Sequence, residues 1–288
     1  MEISIIIVNY KTKDLTKQTI KSVMDTTHNV QYEIILVDNA SGDGSLEAIM
    51  EEYNDIAFIA NTENVGFSKA NNKAIKKSRG KYILLLNSDT KILDGCIEKC
   101  FKYMEEHEEI GALGPKIYLM NGELDHACKR GFPTPSASLC YMLKLDRIFA
   151  GKKKFGKYKM SYLPDDEINE VDSLTGAFMM VRKDVIEKVG MLDENFFMYG
   201  EDLDWCYRIK EAGYKVVYYP EAQMIHYKGQ SSKKKRLKTI YEFHRAMYLF
   251  YNKHYYKKYS FVVTLLVYMG ISIKLIIALF VNLFRKKC

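Results

Sequence analysis

Short runs of continuous apolar residues alternate with amphipathic stretches over roughly the first hundred positions. The runs at 3–9, 33–37, 56–60 and 82–86 read as strands, and the stretches at 15–26 and 45–53 as helices. Phe67, Ala70, Asn71, Ala74 and Ile75 recur at helical spacing and predict another helix before the run at 82–86. Strands that are apolar throughout are buried on both faces. The order therefore predicts an α/β fold, a mostly parallel sheet flanked by helices. Ligands of such sheets bind beyond the carboxyl ends of the strands. Here those ends are polar: Asn9 and Tyr10 follow the first run, Asp38 to Ser41 the second, and Asn87 to Asp89 the fourth.

Beyond Gly111 the pattern weakens to about Leu163, with Pro115, Gly131, Pro133 and Pro135 expected to mark loops. Regularity returns with an apolar run at 176–181, a helix from Asp184, an acidic helix from Glu201, and a strand from Lys215 expected to stop at Pro220. These changes divide the chain into segments 1–110, 111–230 and 231–288. The run from Phe196 to Trp205 sets Glu201, Asp202 and Asp204 among aromatic residues. Aromatic walls can bury an acid beside a substrate and turn it into a positioned general base. The same residues also suit the first turn of a helix, where carboxylates meet the positive end of the dipole.

The last segment contains a basic, Tyr-rich helical stretch and then 24 residues, 261–284, in which Lys274 is the only charge. As a helix this run reaches about 36 Å, enough for a hydrocarbon core of about 30 Å. A central Lys costs about 2.5–3.5 kcal/mol, which sixteen Leu, Ile, Val and Phe residues at roughly 0.3–0.6 kcal/mol each outweigh. Membrane attachment is expected, with a spanning and an interfacial helix both open. The net charge of +7 is concentrated late, at 233–236, 257–258 and 285–287. Beside an apolar helix such clusters favour an anionic lipid surface over nucleic acid, despite the nearby Tyr241 and Tyr248. Six cysteines without a C-x-x-C pair fit a reducing, cytosolic setting. The opening Met1-Glu2 runs directly into an apolar run without a basic leader, the expectation for a buried strand and not a signal peptide.

Taken in order, Val8-Asn9-Tyr10, Asp38-Asn39-Ala40-Ser41, Asn64-Val65-Gly66-Phe67, Asn87-Ser88-Asp89, Thr175-Gly176-Ala177, Gly200 to Trp205, and His226 carry a resemblance. From Ile3 to about Tyr255 the chain resembles family 2 glycosyltransferases of the rhamnosyltransferase-like branch. The resemblance implies a GT-A-type fold, a nucleotide-diphosphate sugar as donor, a divalent metal (Mn²⁺ or Mg²⁺), and inversion at the anomeric carbon. It makes 1–110 the nucleotide-sugar half, 111–230 the acceptor-binding and catalytic half, and 231–288 the membrane-associated tail.

By the same resemblance Val8 and Tyr10 border the base and Asp38 contacts its polar edge, next to Asn39. Asn64, Gly66 and Phe67 close over the nucleotide, with Asn71 and Asn87 near the donor. Asp89 and His226 become metal ligands, Asn87 standing where many relatives have a first Asp. Asp202 becomes the catalytic base. Thr175, Gly176 and Ala177 line the donor sugar or acceptor, and Glu201, Asp204 and Trp205 lie beside substrate or support the helix. The implied reaction passes a sugar, rhamnose on the nearest resemblance, to a lipid-linked or growing glycan at the cytoplasmic face of the membrane. The alternative is a catalytically silent membrane scaffold of a polysaccharide-assembly complex.

Overall fold

The computed structural model describes residues 1–149, 151–228 and 236–284. The basic clusters at 233–235 and 285–287 lie outside the described residues. The strands are β1 (Ile3–Asn9), β2 (Tyr32–Asp38), β3 (Ala57–Ala60), β4 (Tyr82–Asn87), β5 (Thr90–Ile92), β6 (Ile110–Leu119), β7 (Asn169–Glu170), β8 (Phe178–Arg182) and β9 (Lys215–His226). The helices of the first half are α1 (Lys13–Thr26), α2 (Ser45–Glu52), α3 (Phe67–Ile75) and α4 (Cys96–Glu106). Then come α5 (Pro135–Met142), α6 (Leu145–Ile148), α7 (Lys153–Gly156), α8 (Lys183–Val189) and α9 (Glu201–Glu211). The tail forms α10 (Arg236–His254) and α11 (Phe261–Phe284).

The sheet runs β3-β2-β1-β4-β8-β6-β9-β5, with β7 on β9. β3, β2, β1 and β4 are parallel, as their continuous apolar runs predict. Ile5 of β1 sits between Ile34 and Leu84 and is fully buried. The sheet becomes mixed where β8 enters antiparallel between β4 and β6. This is the GT-A-like architecture: a mixed central sheet flanked by helices, followed by one apolar C-terminal helix.

Two prolines behave differently from the sequence expectation. Pro115 lies inside β6, and Pro220 lies inside β9 without ending it. The register of this pair jumps from Pro115↔Tyr219 to Lys116↔Gln223, so residues 220–222 are set out of the ladder. A proline has no amide to donate, and an irregularity in the pairing is where that lack costs least. The consequence is functional, because β9 runs on to His226 opposite Thr90, one residue from Asp89.

A second apolar cluster joins the tail to the body. Phe196, Leu203 and Tyr207 pack with Ala246, Phe250, Tyr251 and Tyr255. Asp204, fully buried, binds Lys253 and His254 at 2.8 Å each, which fixes α10 on the acidic helix α9.

Candidate active site

The carboxyl ends of β1, β2 and β4 share one edge, with Asn9 paired to Asp38 and Val8 to Asn87. A cavity of about 1740 Å³ opens there. Val8, Tyr10, Asn39, Asn64, Gly66 and Phe67 line one part of it; Asn87, Asp89 and His226 line another. Thr175, Gly176, Ala177, Glu201 and Asp202 complete the set brought together from the second half. Asp38, Asn71, Asp204 and Trp205 do not line it.

Their hydrogen bonds give the reason. Asp38 is turned into the loop, accepting from Asn9 Nδ2 (2.8 Å) and from the Ser41 amide (3.0 Å). Asn9, fully buried, also donates to Ser45 Oγ (2.9 Å) and accepts from Thr16 Oγ1 (3.0 Å), so it staples two loop ends together. Asn71 donates back to the Phe67 carbonyl at 2.9 Å. Trp205 is fully buried and donates through Nε1 to the Gly190 carbonyl at 2.9 Å. Asp204 serves α10, as described above.

Asn39 organises the loop before α3. It donates to Asn64 Oδ1 (3.1 Å) and the Gly66 carbonyl (3.2 Å), and accepts from the Val65 amide (3.1 Å). Gly66 has φ of +89°, and a Cβ there would stand 2.5 Å from the carbonyl oxygen of Phe197. That carbonyl also accepts from the Phe67 amide at 2.7 Å, so the loop before α3 and the loop leading to Asp202 are held together at this glycine. Gly66→Ala combines a left-handed backbone with a backbone clash. We expect it to lower the melting temperature by about 4 °C or more. It should also weaken donor binding, as thermal denaturation and a donor titration would show.

Asp89 and His226 approach within 3.2 Å, Oδ1 to Nε2, and both are buried. The other ring nitrogen of His226 faces Asp125 Oδ2 at 3.4 Å, and Asp125 is paired with Lys228 at 2.7 Å. Burial opposes the charged ring, but the bonds to Asp125 and Asp89 hold His226 above its ordinary pKa. Burial also works against ionised Asp125, yet His226 and Lys228 keep its carboxyl well below the usual range. Among the described residues no three His, Cys, Asp or Glu side chains gather into a metal-binding cluster. One carboxylate and one imidazole, the latter oriented through its far nitrogen by a carboxylate, have the donor chemistry that would suit a divalent cation.

Asp202 stands at the start of α9. Its Oδ2 accepts from Arg130 (2.6 Å) and the Gly176 amide (3.3 Å), and its Oδ1 from the Leu203 amide (2.7 Å). These bonds fix the carboxylate at the cavity wall. Glu201 beside it is buried, and its Oε2 has no hydrogen-bond partner among the described residues. Its pKa is pushed up to about 8, by burial first and by the charge of Asp202 second. A carboxyl raised in this way favours its neutral form. Its stabilising contribution is complete below the unfolded value of 4.5 and is lost as pH rises toward about 8. Glu201→Gln should therefore melt higher than the parent at pH 8, with the difference closing toward pH 4.5. Melting curves across that range check this, and a pH-independent difference would contradict it.

Arg130 and Asp125 are the site residues that sequence reasoning missed. Both lie in the stretch without periodicity between Gly111 and Leu163. Arg130 reaches Asp202 only because its backbone pairs with Ser173 in an isolated bridge.

A cavity at the carboxyl edge of a 3-2-1-4 half-sheet, with carboxylates contributed by the second half, is the arrangement of a GT-A-like fold. The chain belongs to glycosyl transferase family 2: the sequence profile of that family matches residues 4–190. Such a protein transfers a sugar from a nucleoside-diphosphate sugar donor. An N-acetylglucosaminyl-diphospho-decaprenol L-rhamnosyltransferase of Mycobacterium tuberculosis (strain ATCC 25618 / H37Rv) is 26% identical over 228 residues, 75% of this chain and 73% of that protein. Rhamnosyltransferase WbbL of Escherichia coli (strain K12) is 28% identical over 235 residues, 77% of this chain and 82% of that protein. Among solved structures, GalNAc-T7 with UDP, GalNAc and Mn²⁺ superposes with a TM-score of 0.62 at 16% identity, over 87% of this chain and 50% of that one. That likeness concerns the fold alone.

Proposed function

We propose that this chain is a metal-dependent, inverting glycosyltransferase acting at the cytosolic face of a membrane. Its donor is dTDP-rhamnose or a related nucleotide sugar, and its acceptor a lipid-diphosphate-linked glycan. The observation that carries the reading is one cavity joining the Asp89–His226 pair to Asp202 and continuing to α11. The rhamnosyltransferase names of two relatives support the sugar, and the acceptor in the mycobacterial name supports a lipid diphosphate. α11 is long and apolar enough to cross a membrane by length and composition. The described cysteines are free thiols, in keeping with a reducing compartment.

In this account Val8, Tyr10 and Asn39 receive the nucleoside, and the loop from Asn64 to Phe67 closes over it. Asp89 and His226 would hold Mn²⁺ or Mg²⁺, which offsets charge on the departing diphosphate. Asp202 takes the proton of the acceptor hydroxyl as that oxygen bonds to the anomeric carbon and the bond to the diphosphate breaks on the opposite face. A single displacement inverts the centre. Arg130 and the Gly176 amide keep the Asp202 carboxylate aimed. Neutral Glu201 offers an O–H to a sugar oxygen through Oε2, which has no hydrogen-bond partner among the described residues.

Binding of a panel of dTDP- and UDP-linked sugars to purified protein, with and without Mn²⁺, tests this reading. Saturable, metal-dependent binding of one donor is expected. A folded protein that binds none would leave the silent scaffold instead.

A further inference from the structure

The cavity does not end at the carboxylates. Val267, Ile271 and Lys274 of α11 line its far part. They lie on the face that α11 turns toward α10, where Thr264 bonds to Tyr251 (2.9 Å) and Tyr268 to Asn252 (2.5 Å). Ile273, Ile276, Ile277 and Phe280, on the rest of the helix, are each more than half exposed. Leu139 and Met142 of α5 also line the cavity and are more than half exposed. The cavity thus has an apolar rim on two elements.

Its interior is not apolar. Several basic side chains that line it are already paired: Arg130 with Asp202, Lys228 with Asp125, and Lys159 with Asp146. Lys238 and Lys274 have no carboxylate partner among the described residues. Lys238 stands 3.7 Å from the ring centroid of Phe197, and Lys274 5.2 Å from that of Phe243. Phe197 belongs to the loop before Asp202, and Phe243 packs edge-on against Tyr199 of the same loop at 5.6 Å. An ammonium midway along an apolar helix is costly unless it faces an anion or water. The described residues supply no anion there. A ligand that pairs a strong anion with a hydrocarbon tail matches both the lysines and the rim.

We infer that Lys238 and Lys274 bind the diphosphate of a lipid-diphosphate acceptor, whose hydrocarbon chain leaves the cavity between α5 and α11. The assignment rests on the transferase reading above. It places the acceptor's anion on α10 and α11, apart from the Asp89–His226 pair at the sheet edge, and directs the linked sugar toward Asp202. A diphosphate makes charge-assisted hydrogen bonds to both ammonium groups, and tenfold in affinity corresponds to about 1.4 kcal/mol.

The test uses the full chain in detergent with two probes, farnesyl diphosphate and farnesol, in chelator without metal and again with saturating UDP and Mn²⁺. The diphosphate should bind at least about tenfold more tightly than the alcohol, and UDP with Mn²⁺ should not displace it. Lys274→Gln and Lys238→Gln should each cost about tenfold for the diphosphate and nothing for farnesol, with Lys274→Arg retaining affinity. Unchanged diphosphate affinity in both Gln variants would overturn the assignment. So would an equal loss for farnesol, which indicates a structural role, or complete displacement by UDP with Mn²⁺, which indicates the donor site. If donor binding stays intact in any of these cases, only this assignment falls. A folded chain that binds no nucleotide sugar removes the transferase reading and this assignment with it.

Discussion

Asp202→Asn should reduce kcat by about a thousandfold while leaving donor affinity within about twofold. The amide has the shape of the carboxylate, and its one oxygen can still accept from Arg130 and the Gly176 amide, at the cost of the bond from the Leu203 amide. It also loses the capacity to take a proton from the acceptor hydroxyl. In the proposed account the nucleoside is held by Val8, Tyr10, Asn39 and the Asn64 to Phe67 loop and the metal by Asp89 and His226, and the substitution removes none of these. Steady-state kinetics with a separate donor titration resolve the two quantities. Near-normal turnover would rule out Asp202 as the base and turn attention to Glu201 next to it.

Asp89→Ala should abolish the part of donor affinity that depends on the metal, a loss of about a hundredfold or more at saturating Mn²⁺. The pair it forms with His226 brings a carboxylate oxygen and an imidazole nitrogen within 3.2 Å on the cavity wall. With one carboxylate removed, a lone imidazole has little hold on a hard cation. Donor titrations at several Mn²⁺ concentrations would show this. A metal dependence identical to that of the parent would take Asp89 out of the site.

Much of this arrangement was legible in the sequence because its signals are local. Continuous apolar runs marked β1, β2 and β4, and the polar residues just after them were bound to share an edge once the strands were parallel. The Gly66 turn and the acidic start of α9 were visible for the same reason. Arg130 and Asp125 were not, since each enters the site by tertiary pairing from a stretch with no period of its own. Pro115 and Pro220 misled for a related reason. Each alone argues against a strand, and only their meeting at one irregularity of the β6–β9 pair explains why both are tolerated.

The acidic run shows the limit within a single motif. Glu201 and Asp202 reach the cavity from the N-terminal edge of α9. Asp204 and Trp205 lie deeper along the helix, where one anchors α10 and the other ties down the Gly190 carbonyl. The sequence spacing contained that division, but which side faced the cavity depended on α10. The Tyr-rich stretch gave no sign of its partner helix.

The central claim is sugar transfer with Asp202 as base, and one experiment addresses it most directly. Full-length protein in lipid nanodiscs would be incubated with Mn²⁺, dTDP-rhamnose or another donor that binds, and an N-acetylglucosaminyl-diphosphate lipid. The product's anomeric configuration would then be read by NMR. The account predicts a glycosylated lipid whose new linkage is inverted relative to the donor, formed in step with nucleoside diphosphate and lost in Asp202→Asn. A retained configuration, or a product formed equally well by the variant, would contradict it.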